Sequence, residues 1–332
     1  MKLFLMKISM FCGMLFLLYS CQQKLESESL DYSIGIPVIG FVDAFEDETI
    51  GQARTGFVQA LEDAGYSEKD TTIKIIFRNA QGDIPTLTQI VNYFISKKVD
   101  LIATNSTLAS ITAIQKSKEI PVFMMVSSEP ENMMVLDKEG NAPKNLYGIS
   151  ESLDYIDTSL SLIPKLMHAK NTNIKVGMIY NQAETQSINA INTAQKTASR
   201  LGMKIVAMPI NNSADAQLVT KAMLAKGIDV FFANPDNVVF AAFETILKNC
   251  NEKNIPIFTS EAGLVKRGAV AAYGADMYLW GYQAGEQVVQ FLKQKSTDGL
   301  KIESVKTRKY IYNEAVAEKY HFKFNSPFEP VQ

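Results

Sequence analysis

Gly227-Ile228-Asp229-Val230-Phe231-Phe232-Ala233-Asn234-Pro235-Asp236-Asn237 is the stretch on which the fold turns. An apolar run of strand type, Ile228 to Ala233, stops at Asn234-Pro235, and Asp236 and Asn237 then stand where a helix beginning near Val238 takes its cap. In an open parallel sheet, the carboxyl end of a strand beside a helix N-terminus is where ligands bind. Lys98-Val99-Asp100-Leu101-Ile102-Ala103-Thr104-Asn105-Ser106-Thr107 repeats the layout, with a short apolar run ending in a polar cluster that opens a helix. The two stretches are expected to form opposite lips of one cleft.

Outward from these lips the chain alternates. A buried strand from Ile34 to Val42 precedes a helix from Ile50 to Ala64, with Gly65 as its stop. Strand Thr72 to Phe77, helix Ile84 to Lys97, strand Val99 to Ala103, helix Thr107 to Lys118 and strand Pro121 to Val126 follow. After a polar loop from Met133 to Asn145, Tyr147-Gly148-Ile149-Ser150 is expected to carry the chain into a second domain. There the alternation restarts with helix Leu153 to His168 and runs to strand Ile255 to Phe258, including one helix over Val238 to Asn251. Such alternation predicts α/β architecture: two similar domains, each a parallel sheet flanked by helices, with a ligand cleft between them. The tail, with strand Ala269 to Tyr273, helix Asp276 to Lys293 and strand Tyr310 to Asn313, is expected to cross between the domains again. The expected lobes are therefore discontinuous: 33–148 plus about 275–300, and 149–274 plus about 301–332.

A chain of 332 residues suits two domains, and 47% apolar with 20% charged residues is a globular balance. A formal net charge of -2 without a basic stripe argues against a nucleic-acid surface. At the N-terminus, Lys2 and Lys7 precede an apolar run from Ile8 to Leu18, the layout of a secretory signal over 1–20 and too short for a permanent bilayer span. Cys21 directly after Leu18-Tyr19-Ser20 resembles a bacterial lipobox, in which the cysteine is lipidated; Tyr19 departs from the usual small or aliphatic residue. Residues 21–32 then read as a tether. With Cys12 removed and Cys21 lipidated, Cys250 is the one thiol left, so no internal disulfide is expected. His168 and His321 lack ligand-spaced partners, so neither a metal site nor a cofactor is expected.

Six segments, in order and spacing, resemble the ABC-transporter substrate-binding proteins of the tryptophan/tyrosine type. They are Asn79-Ala80-Gln81-Gly82-Asp83, Lys98 to Thr104, Ile120-Pro121-Val122, Tyr180 to Ser187, Pro235-Asp236-Asn237 and Val265-Lys266-Arg267-Gly268-Ala269. The resemblance implies a type I periplasmic-binding-protein fold and a monomer that is exported or anchored by lipid. It further implies delivery of a small solute, often an aromatic amino acid, to a membrane permease and its ATPase. Two positions depart from the family's pattern: Glu129-Pro130 stands where an aspartate usually precedes the proline, and Gln186-Ser187 where asparagine usually precedes the serine.

A free amino acid presents a carboxylate, an ammonium and a side chain. For the carboxylate, Thr104, Ser106 and Thr107 offer hydroxyls at a helix start with unpaired N–H groups; Ser106 or Thr107 as a plain N-cap is the competing reading. For the ammonium, Asp236 is the first candidate and a helix cap its rival role, with Asn237 beside it and Glu184 and Glu129 next in line. Asn181, Gln186 and Ser187 suit polar ligand atoms or a turn, and Ser260 completes the lip after the next strand. Phe41, Phe45, Tyr180 and Phe240 are candidate aromatic walls or ordinary core. The chain carries no nucleophile elbow and no Walker-type phosphate loop, so a binding module is favoured over a hydrolase. An exported sensor domain for a membrane receptor is the remaining alternative.

Overall fold

The β8 strand (Val230–Ala233) shows why the opening stretch folds as it does. Val230 and Phe232 enter one hydrophobic cluster and Phe231 and Ala233 another, so alternate residues serve opposite faces of a sheet covered on both sides. The computed structural model describes residues 35–167 and 173–331. The expected signal, Cys21, its tether and His168 lie outside the described residues. The chain divides into two compact units, Met1–Ile36 and Pro37–Gln332, and both lobes belong to the second.

The first lobe runs β1 (Val38–Asp43), α1 (Glu48–Asp63), β2 (Lys74–Asn79), α2 (Ile84–Ser96), β3 (Leu101–Asn105), α3 (Thr107–Lys116), β4 (Val122–Ser128) and β5 (Leu146–Glu151). With β11 (Ile302–Ser304) these strands form one parallel sheet in the order β11-β5-β4-β3-β1-β2. All six positions of β1 are buried, as a central parallel strand requires. Tyr147–Ser150, expected as a connection, is itself part of β5, and the chain leaves the sheet through Ser152-Leu153. Its short polar-apolar mixture gives no run long enough to read as a buried strand.

The second lobe contains α4 (Asp154–Leu166), β6 (Lys175–Asn181), α5 (Thr185–Arg200), β7 (Lys204–Ile210), α6 (Ala216–Leu224) and β8. After it come α7 (Asn237–Ala241), α8 (Phe243–Glu252), β9 (Ile257–Thr259), α9 (Ala262–Lys266) and β10 (Ala271–Ala275). Its parallel sheet has the order β7-β6-β8-β9. The helix expected over Val238 to Asn251 is two helices, broken at Ala242 (φ -102, ψ 7). The Phe240 carbonyl there accepts from Arg267 Nη2 at 2.9 Å and from the Ala242 N–H, so it does not continue the helical ladder.

Helix α10 (Met277–Gln294) returns to the first lobe and lies against α1. A Cβ on Gly281 would stand 1.8 Å from the Ala53 carbonyl oxygen, and one on Gly56 1.9 Å from that of Tyr278, so the two helices touch backbone to backbone. The chain ends on β12 (Arg308–Tyr312), antiparallel to β10, then α11 (Glu314–Lys319) and β13 (Glu329–Pro330). Ile50 at the start of α1 is 2% exposed and packs into the second lobe's cluster with Val238, Phe240 and Leu264, so the lobes share an apolar seam.

Candidate functional site

The carboxyl ends of both parallel sheets face one another. From the second lobe, Asp236 caps α7: its Oδ1 accepts from the Val238 and Val239 N–H groups at 2.8 and 3.0 Å. Its Oδ2 accepts from the Asn181 N–H at 2.7 Å and from the Ser187 hydroxyl. Asn234 Nδ2 donates to Ser187 Oγ at 3.1 Å, which ties the ends of β6, α5 and β8 into one buried polar knot. Burial raises the Asp236 pKa, and those four donors oppose the rise. Of the two roles suggested by the sequence, the structure shows the cap: Oδ1 is taken by the α7 N–H groups and Oδ2 by the Asn181 N–H and the Ser187 hydroxyl.

Glu184 stands differently. Its Oε1 accepts from Asn181 Nδ2 at 2.9 Å and its Oε2 from Asn237 Nδ2 at 2.8 Å, leaving acceptor capacity on each oxygen. Burial, followed by the Asp236 charge, pushes its pKa up to about 8, against the pull of the two amides. Glu184 and Asn181 line a cavity of about 480 Å³ together with Phe45, Gln81, Gly82, Ile84 and Leu108 of the first lobe and Val238 and Ala241 of the second. Gly82 has φ +83, and a Cβ there would meet the Phe45 ring at 3.2 Å, so this turn holds the ring close. Asn211, Asn212 and Ser213 after β7 complete the rim.

The first-lobe lip is more internally bonded than expected. Thr104 Oγ1 is fully buried on Ser110 Oγ at 2.8 Å. Ser106 caps α3 with φ 101, a strained backbone for a residue with a side chain, and its neighbour Leu108 reaches the cavity. Thr107 accepts from the Ser128 N–H at 3.1 Å and donates to Gln186 Oε1, a direct bond from one lip to the other. A second bridge runs from Asn189 Nδ2 to the Asn132 carbonyl at 3.1 Å. Glu129 lies past the end of β4, where the register shifts between Met124 and Ser127 and Val126 has φ 48. Ser260 is buried, with its Oγ on Glu261 Oε1 at 3.3 Å. Of the eleven candidates named from the sequence, Asn181 and Glu184 line the cavity, whereas Thr104, Ser106, Thr107, Glu129, Gln186, Ser187, Asp236, Asn237 and Ser260 do not. Of the aromatic candidates, Phe45 lines it, Phe41 and Phe240 are core, and Tyr180 lines a separate groove on the second lobe.

Sequence reasoning passed over the floor of the first lobe. Asp43, at the end of β1, accepts from Asn105 Nδ2 at 2.8 Å and pairs with Arg54 at 3.1 Å, while the Arg54 guanidinium lies 3.9 Å from the centre of the Phe77 ring. Burial raises the Asp43 pKa to about 6, opposed by Asn105 and Arg54. The available signal was its position, since β1 ends in a carboxylate beside β3's end in the sheet. A further lobe-to-lobe contact was also missed: Arg267 Nη1 reaches Asp47 Oδ2 at 2.7 Å and Thr49 Oγ1 at 3.1 Å. Among the described residues, no group of three or more His, Cys, Asp or Glu could hold a metal, and no helix is long and apolar enough to cross a membrane.

Known proteins resemble this chain in sequence and in fold. The profile of the family described as ABC transporter substrate binding protein matches residues 36–327. A tyrosine-binding protein of Clostridioides difficile (strain R20291) is 33% identical over 276 residues, covering 83% of this chain and 78% of that protein. Among solved structures, an ABC domain in complex with L-Trp from Streptococcus pneumonia has a TM-score of 0.79 at 19% identity, covering 88% of this chain and 96% of the other. A substrate-binding protein with adhesive properties from Clostridium difficile, in a ligand-free, open structure, has a TM-score of 0.64 at 28% identity, covering 90% and 99%.

Proposed function

The chain belongs to the ABC transporter substrate-binding protein family, and on that premise we propose that it captures an amino acid of the aromatic class between its lobes for delivery to a membrane permease. The observation that carries the reading is the cavity of about 480 Å³ walled by both lobes, a size usual for small-molecule sites. One wall offers acceptors, Glu184 and Asn181, for an ammonium; the opposite wall offers Phe45, Ile84 and Leu108 for an apolar side chain. That a relative is named a tyrosine-binding protein supports the choice of an aromatic amino acid. Asp236 acts in this reading as the brace that holds Asn181 and Ser187, and Glu184 takes the role first assigned to Asp236. The Thr107–Gln186 bond closes the cleft over the ligand. Cys21, following its signal-like run, is the proposed lipid anchor, which keeps the protein on the outer side of the membrane beside its permease.

Thermal unfolding with a panel of amino acids, sugars and nucleosides tests the reading. Tyrosine, tryptophan or phenylalanine at a hundredfold excess over Kd stabilises by about 2.7 kcal/mol, which is roughly 4 °C for a protein of this size. Stabilisation by sugars or nucleosides with none by any aromatic amino acid refutes it.

A further inference from the structure

The two lobes are joined by three crossings: Ser152-Leu153 between β5 and α4, Asp276 between β10 and α10, and Val305 to Thr307 between β11 and β12. Backbone bonds stitch them together, with the Val305 N–H on the Ser150 carbonyl at 2.9 Å and the Asp276 N–H on the Thr307 carbonyl at 3.3 Å. Beside these crossings lies a buried ionic group. Glu151 is the last residue of β5, Arg308 the first of β12, Tyr155 lies in the first turn of α4, and Glu261 follows β9. Glu151 is 3% exposed and Glu261 2%.

The group is poorly satisfied as an array of full charges. Arg308 Nη2 pairs with Glu151 Oε1 at 2.6 Å, while Glu151 Oε2, Glu261 Oε2 and Arg308 Nε have no hydrogen-bond partner. Glu261 Oε1 accepts from Tyr155 Oη at 3.1 Å and from Ser260 Oγ at 3.3 Å. The Arg308 guanidinium lies 5.5 Å from the centre of the Tyr155 ring. Glu129, beyond β4, adds its negative field at Glu151. Two buried carboxylates therefore face one guanidinium, and a second negative charge there has no counter-ion.

We propose that this cluster is a proton-controlled hinge: Glu151 of the first lobe and Glu261 of the second, set about Arg308, hold the lobes together while one of the two is protonated, and separate them when both are ionised. A protonated carboxyl can donate to an oxygen that is now unpartnered, whereas two carboxylates repel across the crossing and draw in water. Burial pushes Glu261 up to about 7, opposed by Tyr155, Ser260 and Arg308, and burial with the Glu261 charge raises Glu151. For an acid raised in this way, the closed arrangement is favoured at low pH and loses its advantage as pH rises through 7, roughly tenfold per pH unit for one linked proton. None of the four side chains lines the cavity that holds Glu184, so the hinge acts without the ligand.

The chain carries its own reporter. Trp280 on α10 is the one tryptophan in the sequence, is buried, and donates from Nε1 to the Ile149 carbonyl at 2.9 Å, two residues before Glu151. Small-angle scattering of the full chain without ligand, titrated from about pH 5.5 to about 8.5, reads lobe separation, and Trp280 emission reads the first-lobe side of the hinge beside Glu151. The wild type is expected to expand, with an emission shift, around pH 7. Glu261→Gln is expected to stay compact throughout, with Glu151→Gln as the second variant should the first fail to fold. Glu184→Gln, altered in the ligand cavity, is expected to keep the transition. A wild-type protein whose dimensions and emission do not change with pH overturns the proposal, as does a transition that survives in the folded Glu261→Gln or Glu151→Gln variant, or one that disappears in Glu184→Gln. Because no ligand is added, these outcomes are independent of which solute the cleft binds.

Discussion

Replacing Asp236 by alanine removes the acceptor for four donors at once, and its cost can be worked from the geometry. Losing the α7 cap over the Val238 and Val239 N–H groups costs about 1 kcal/mol. The Ser187 hydroxyl and the Asn181 N–H also lose Oδ2, at about 1–3 kcal/mol for each buried donor left without a partner. The Asn181 N–H retains Ser187 Oγ at 3.1 Å, and removing a buried carboxylate returns part of its desolvation cost, so the total settles near 2–4 kcal/mol. Urea unfolding followed by circular dichroism measures this, and titration with an aromatic amino acid under the same conditions measures affinity. Asp236→Asn keeps one oxygen for the cap and should lose about half as much stability. If Asp236→Ala unfolds within about 0.5 kcal/mol of wild type yet binds more than a hundredfold more weakly, the bracing role is wrong and Asp236 contacts the ligand.

Four other outcomes follow from the packing and charge of the lobes. Arg267→Ala leaves the buried Asp47 oxygen without its 2.7 Å partner and should cost about 2–3 kcal/mol in urea unfolding. Glu244→Ala, which removes a 67% exposed partner of the same guanidinium, should cost under about 1 kcal/mol. For Glu184, a pKa raised from 4.5 to about 8 means that its favourable contribution is complete below 4.5 and is lost as pH rises through 8. Unfolding free energy should therefore fall from about pH 5 to about pH 8, and less steeply in Glu184→Gln. Gly281→Ala drives a methyl to 1.8 Å from the Ala53 carbonyl and should lower stability by about 1–3 kcal/mol, visible as a reduced melting temperature.

Much of the fold was legible because its signals are local. The apolar run before Asn234-Pro235 is a strand buried on both faces, and Asp236 caps a helix one residue before Val238, near where the sequence placed its start. Thr107 opens α3 and Pro85 lies in the first turn of α2, as helix-start chemistry requires. The family resemblance carried by six short segments agrees with the profile match across residues 36–327. The break at Ala242 escaped because it depends on Arg267, which lies 27 positions beyond the Phe240 carbonyl it binds.

The candidate site was only half visible for the same reason. Asn181 and Glu184 could be placed at the cavity, and Asp236 at a helix start, because strand ends and caps mark themselves within a few residues. Whether such a carboxylate braces, binds or governs a hinge depends on which distant donors reach it. Asp236 meets Asn181 and Ser187, 55 and 49 positions away, whereas Glu261 meets Tyr155 106 positions away and leaves one oxygen unpaired. Periodicity and capping are properties of neighbours along the chain and so can be read from it. The division of labour among carboxylates is set by burial and by partners that come together only when the lobes fold.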